Sequence, residues 1–189
     1  ETVGNAQVST SVVKYGTGSM YFDGSASYLN TQSGSKNFAF GTGDYTIEGW
    51  AYKTASTNDV GIVCTESVST TTLGIRLYWY SGSLTLQSGV TGSGTGGNSV
   101  SETAPSLNTW FHFACVRSNG TIRLYINGVS TNSVADTSNI TSTFASVGRE
   151  LTGYTNFYWP GYIDDLRITK GAARYIGNFT PPIARMPQE

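Results

Sequence analysis

Eight short segments of alternating or wholly apolar residues recur along the chain: MYFDG at 20–24, YTIEGWAY at 45–52, VGIVCT at 60–65, LGIRLYWY at 73–80, SLTLQ at 83–87, WFHFACVR at 110–117, TIRLYING at 121–128 and YIDDLRIT at 162–169. Period-two patterning of this length, bounded by Gly, Ser, Asn and Asp, predicts β-strands, and no stretch carries the 3.6-residue stripe of an amphipathic helix. Two hairpins can be named from the dipeptides between strands. Asn119-Gly120 lies between FHFACVR and TIRLYI, as a type I′ turn requires, and Ser81-Gly82 joins LYWY to SLTLQ.

Several strands are apolar on both faces. Phe111, Phe113 and Cys115 alternate with His112, Ala114 and Val116, so the second face needs cover too, from loops or from a curved sheet with a filled concavity. In LGIRLYWY, Leu77 and Trp79 share one face and Tyr78 and Tyr80 the other, one set facing inward and one outward. Trp50 and Trp110, within or just before doubly apolar strands, are expected in the core. The segment 88–108, with glycines at 92, 94, 96 and 97 and no apolar periodicity, reads as a long loop more mobile than the strands.

Composition agrees with strands and turns. Only 12% of residues are charged and 23 of the 189 are Gly, so the strong helix formers Glu, Lys and Arg are scarce. The formal net charge of −1, with no run of like charges, excludes a nucleic-acid partner. No apolar run approaches the ~20 residues needed to span a bilayer, which excludes insertion by an apolar helix. The chain starts at Glu1 with no signal-like segment, and is expected to be a processed product or a domain of something longer. Cys64 and Cys115 lie in strand-like contexts, GIVCTE and FHFACVR, which suits two buried thiols; a disulfide is the alternative.

Five blocks in order, YGTGSMYFDGSASYL, DYTIEGWAY, NTWFHFACVRSNGTIRLYINGV, SVGRELTG and GYIDDLRIT, resemble the concanavalin A-like jelly rolls of the laminin G-like type, over about residues 14 to 170. The tail KGAARYIGNFTPP resembles the ending of such domains in bacteriophage virion and tail proteins. The resemblance implies an all-β fold, a concanavalin A-like jelly-roll sandwich of two antiparallel sheets with roughly 10–14 strands. The jelly roll is assigned to residues 1–175, with KGAARY as a one-turn helix or turn, and residues 176–189 to a C-terminal exit segment or linker stopped by Pro181 and Pro182.

Adjacent Asp164 and Asp165 project to opposite faces of a strand, so they cannot flank one glycosidic bond as an acid/base pair. Asp164 is expected to share its face with Tyr162, Leu166 and Ile168, and Asp165 to face Arg167. Related jelly rolls often hold a structural calcium with a carboxylate of the terminal strand; by that resemblance Asp164, with Asp23 of YFDG, is the candidate metal pair, and an Asx-type turn before Gly24 is the other reading of Asp23. Jelly-roll glycosidases of the laminarinase type carry alternating carboxylates on one strand, whereas TIEGWAY offers Glu48 alone. His112 is the single histidine, no G-x-S-x-G elbow occurs, and no enzyme is expected.

What remains is aromatic. TGYTNFYWPGY places Tyr154, Tyr158 and Trp159 beside Asn156, between Gly153 and Gly161 and stiffened by Pro160. Rings that stack on sugar C–H faces, next to an amide that bonds hydroxyls, suit glycan recognition, with Tyr158 or Trp159 as the platform; filling the core is the competing role. The resulting expectation is a surface-displayed carbohydrate-binding or adhesion module of a virion, phage tail or other extracellular surface, contacting a glycan or host cell surface and other virion subunits. The alternative is a structural or decoration domain that packs against virion subunits without a sugar site.

Overall fold

A computed structural model describes residues 1–31, 38–65, 71–152 and 155–187, without the side chains of 151–152 and 155–156. The described residues contain sixteen strands and no α-helix. Several strands are two- or three-residue pieces, which is why they outnumber the 10–14 expected. One seven-stranded antiparallel sheet runs, in spatial order, β1 (Thr2–Val3), β4 (Tyr28–Asn30), β13 (Ser146–Val147), β6 (Val60–Cys64), β7 (Leu73–Tyr80), β8 (Ser83–Thr91) and β9 (Asn98–Thr103). The other runs β12 (Val134–Ala135), β11 (Thr121–Ile126), β10 (Phe111–Ser118), β5 (Tyr45–Lys53), β16 (Pro160–Lys170), β3 (Ser19–Asp23) and β2 (Gln7–Ser9). A separate hairpin, β14 (Arg149–Thr152) with β15 (Thr155–Tyr158), lies against β6. This is the expected jelly-roll sandwich.

Alternation fills the space between the sheets. Ile47 and Ala51 of β5, Phe111, Phe113 and Cys115 of β10, Ile75, Leu77 and Trp79 of β7, and Leu84 and Leu86 of β8 are all buried in one core. Both named hairpins form. Ser81 and Gly82 have φ of 47° and 77°, and Asn119 and Gly120 have 48° and 69°; two consecutive positive φ values define the type I′ turn, whose twist matches that of the flanking strands.

Segment 88–108 is not a loop. β8 and β9 pair from Ser83↔Thr103 to Ser88↔Asn98, with Val90 and Val100 buried, and only the turn between them is glycine-rich. Gly97, at φ 80°, lies where a Cβ would come 2.6 Å from the Ser88 carbonyl oxygen; its glycine serves close backbone approach and a left-handed turn.

The outer face of the β5–β16 sheet is covered by the chain ends. Ala114, Val116 and Tyr125 form a second buried cluster under Ala173, Tyr175 and Phe179. Phe179 stacks on Tyr175 with ring centroids 3.5 Å apart and its N–H donates to the Gly128 carbonyl. Farther on, Tyr15 Oη donates to the Pro182 carbonyl at 2.6 Å and the Met186 N–H to Asp165 Oδ2 at 2.7 Å. Residues 176–187 are therefore part of the packed domain rather than an exit linker, and KGAARY forms bends rather than a helical turn. The second apolar face of FHFACVR is what this cover seals.

Trp50 is buried, at 6% exposure, but on this outer face, beneath Tyr15 at 5.8 Å between ring centroids and Lys14 Nζ at 3.7 Å. Trp110 is only half-buried, against Tyr52, and is not a core residue: it precedes β10 and falls on the outward phase.

Candidate carbohydrate-binding cleft

β16 carries a β-bulge. Asp164 pairs with Trp50 and Arg167 with Glu48, so two residues, Asp165 and Leu166, oppose Gly49 alone. Asp165 sits at φ 50°, a left-handed conformation that Asp tolerates better than most residues. The extra residue reverses the phase, so Leu166 and Ile168 pack on the inter-sheet core while Asp164 faces outward. The expectation that Asp164 shares a face with Leu166 and Ile168 is corrected by this bulge, and Arg167 reaches Glu48 rather than Asp165.

Glu48 is fully buried. Arg167 donates to its Oε1 from Nε and Nη2 at 3.0 and 2.7 Å, and Tyr175 Oη donates to Oε2 at 2.7 Å. Burial pushes this carboxyl up, but donors at His112, Tyr175 and Arg167 outweigh it and hold the pKa below its ordinary value. The carboxylate is locked beneath the tail, with no opening to a substrate.

Asp23 and Asp164 do not form one metal site. Asp23 pairs with Pro160, four residues along β16 from Asp164, which on an extended strand is roughly 13 Å. Asp23 Oδ1 accepts from the Ser25 and Ala26 N–H groups and Ser27 Oγ, and Oδ2 from Asn5 Nδ2. This is the Asx-turn reading, and although burial raises its pKa these donors lower it overall. Asp164 Oδ2 accepts from the Lys14 and Tyr15 N–H groups and Oδ1 from that of Asp165. Among the described residues no cluster of three or more His, Cys, Asp or Glu is disposed to hold a metal, so these two carboxylates do not fit a shared calcium. Cys64 and Cys115 are buried and unbridged.

Of the aromatic rim residues, Trp159 is fully buried, 6.4 Å from Trp79 between ring centroids, and cannot serve as a platform. It directly precedes β16, and the inward phase carries the ring into the core. Tyr158 is half-buried and stacks on Tyr28 with centroids 6.0 Å apart, while Arg149 lies 3.7 Å over the Tyr28 ring. Tyr154 and the side chain of Asn156 lie outside the described residues.

The other face of the same hairpin builds an open site. Glu150 and Phe157 are paired across β14–β15 and, with Asp59 and the outward residues Arg76, Tyr78 and Tyr80 of β7, line a cleft of about 270 Å³. Gly61 lets the hairpin come down on β6: a Cβ there would lie 2.3 Å from the Glu150 nitrogen. Arg76 is held in place, with Nη1 donating to Glu150 Oε1 at 2.5 Å and Nε to Gln87 Oε1 at 2.7 Å. Tyr80 is 52% exposed. Beyond the cleft the outward face continues with Thr85 and Gln87 of β8 and Ser99 and Ser101 of β9, a surface of hydroxyl and amide groups. Burial raises the Glu150 pKa to about 7, against the pull of Arg76. Tyr78 and Tyr80 were legible as one face of LYWY; Glu150 was not, because nothing in SVGRELTG shows that the hairpin folds over β7.

Two rival surfaces are less apt. A larger concavity of about 560 Å³ between the end of β16 and Met186–Pro187 has no aromatic ring. A row of half-buried rings, Tyr21, Tyr162, Tyr52 and Trp110, crosses β3, β16, β5 and the start of β10, but its members stand at 48°, 79° and 60° to one another. Such tilts suit cross-strand packing and leave no common plane for a sugar.

Residues 22–174 match the family model of the laminin G type described as the concanavalin A-like lectin/glucanases superfamily. No curated protein matches the chain in sequence. Among solved structures, domain 4 of AbnA, a GH43 extracellular arabinanase from Geobacillus stearothermophilus in complex with arabinotriose, superposes with a TM-score of 0.64 at 19% identity, over 90% of this chain and 77% of that one. Mouse laminin alpha1 domains LG4-5 give 0.63 at 16%, over 97% and 48%, and the binding domain of botulinum neurotoxin serotype D/C gives 0.64 at 16%, over 91% and 44%. The chain thus spans less than half of the laminin and neurotoxin chains. With the two-sheet architecture and a match over most of its length, the chain belongs to the laminin G-like family of the concanavalin A-like lectin/glucanases superfamily.

Proposed function

We propose that the protein is a non-enzymatic carbohydrate-binding or adhesion module that holds a sugar in the cleft between β7 and the β14–β15 hairpin. The observation that carries this reading is the set of rings at Tyr78, Tyr80 and Phe157 around the fixed Arg76–Glu150 pair. Rings supply the apolar face that sugars stack on, and a fixed ion pair offers both a donor and an acceptor without an ordering cost at the moment of binding. The fold is shared with an arabinanase domain solved with arabinotriose and a neurotoxin binding domain solved with SialylT, which supports the same class of ligand. Catalysis is not assigned, since the strand that carries paired carboxylates in related glycosidases has Glu48 alone, and that residue is sealed. A single small cleft implies weak affinity, made useful by display in many copies on a virion or other extracellular surface.

A glycan array with wild type and Tyr80→Ala tests the reading. Loss of one stacked ring weakens binding about tenfold, and because Tyr80 is half-exposed the melting temperature stays unchanged. Absence of any glycan ligand, or full binding by Tyr80→Ala and Tyr78→Ala alike, overturns the cleft and favours a domain that only packs against neighbouring subunits.

A further inference from the structure

Glu150 stands apart among the groups of the cleft. Its residue is 3% exposed; Oε1 is bound to Arg76, yet the buried Oε2 has no hydrogen-bond partner among the described residues. A buried acceptor left empty costs free energy unless a ligand or water fills it. Asp59 adds a second carboxylate to the cleft wall, against Arg76, the single cation among its described residues. Arg76 is already bound to Glu150, to Gln87 and, at 3.4 Å, to the Gly94 carbonyl. The cleft therefore offers a vacant acceptor and no vacant cation.

Resting on the cleft reading above, we infer that the ligand is a neutral sugar, one of whose hydroxyls donates to Glu150 Oε2 while the ring stacks on Tyr78 or Tyr80, and that sugars bearing carboxylate or sulfate are rejected. Rejection follows from Coulomb repulsion by Asp59, and by Glu150 once it has lost its proton, in a partly desolvated site, and from the absence of an uncommitted cation among the described residues of the cleft wall. Discrimination of this kind rests on the site's own buried polar group, which is left unpaired when the wrong ligand enters.

The test is direct binding at pH 8.5, above the pH of about 7 at which Glu150 ionises, of a neutral galactose trisaccharide and of trigalacturonate to the whole chain, as wild type, Glu150→Gln, Asp59→Asn and Tyr80→Ala. Wild type is expected to bind the neutral sugar at least tenfold more tightly than the uronate. Glu150→Gln removes a charge and frees Arg76, and is expected to lower that ratio at least tenfold. Asp59→Asn keeps a residue type that tolerates the φ of 55° found at this position, and is expected to lower the ratio in the same direction, so it decides the matter if Glu150→Gln does not fold. Binding lost in Tyr80→Ala, with a wild-type preference for the uronate or a ratio unmoved by both charge variants, overturns the inference and leaves the cleft reading standing. Binding of neither sugar, with a glycan array equally blank, overturns both.

Discussion

At the scale of single residues, the energetics are set by a few buried charges. Arg117 and Asp136 are both fully buried, 3.2 Å apart. Arg117 also donates to the carbonyls of Gly43, Ser138 and Gly41, while Asp136 accepts from Ser88, Asn98 and Ser138. With every nitrogen of the guanidinium and both carboxylate oxygens bonded, such a pair is tolerable in a core. Glu150 lacks that completeness, and its titration should be visible. Its carboxyl is raised from 4.5 to about 7 by burial, so the folded state holds the proton that the unfolded state has lost. The stability this confers is full below pH 4.5 and is lost as pH rises through about 7, a decrease on the order of 3 kcal/mol. Denaturant unfolding of wild type and Glu150→Gln between pH 4 and 8 checks it: the variant's curve should be flatter across this window, and parallel curves would place the proton elsewhere. Below pH 4 the slope reverses, because Asp23, Glu48 and Asp136 are held below their ordinary values and lose stabilising contacts on protonation.

At the scale of elements, the tail from Ala173 to Met186 behaves as cover rather than as a connection. Phe179 is half-buried over His112 and Tyr125, whereas Ile183 is 89% exposed. Phe179→Ala is expected to cost about 1–2 kcal/mol through lost burial and ring contact, and Ile183→Ala nothing measurable. Equal, negligible effects on chemical denaturation would return this segment to a detachable linker. The strands and both two-residue hairpins were readable in the sequence because period-two patterning and paired positive-φ residues are local signals. What was not readable depended on distant partners. The bulge at Asp165 changes the phase of β16 without changing its composition, the fate of Trp159 depends on where β15 hands over to β16, and the β8–β9 hairpin hides behind polar residues on its outward face. Among the rim residues, Trp159 turns into the core and Tyr158 packs on Tyr28, while the proposed cleft draws on Glu150 and Phe157 on the opposite side of the same hairpin.

At the scale of the whole molecule, the two outer faces of the sandwich have different fates. One is closed along part of its width by Tyr15, Tyr175, Phe179 and Met186; the other carries the cleft and stays open to solvent. Residue 186 is tied to Asp165 on the closed side, so that end of the chain and the proposed cleft lie on opposite faces. An affinity tag placed after residue 189 and captured on a sensor chip should therefore turn the cleft away from the chip, and oligosaccharide flowed over it should reach the same saturation as in free solution. If capture through that end abolishes the response while randomly coupled protein still responds, the sugar is meeting the row of Tyr21, Tyr162, Tyr52 and Trp110 on the shielded side.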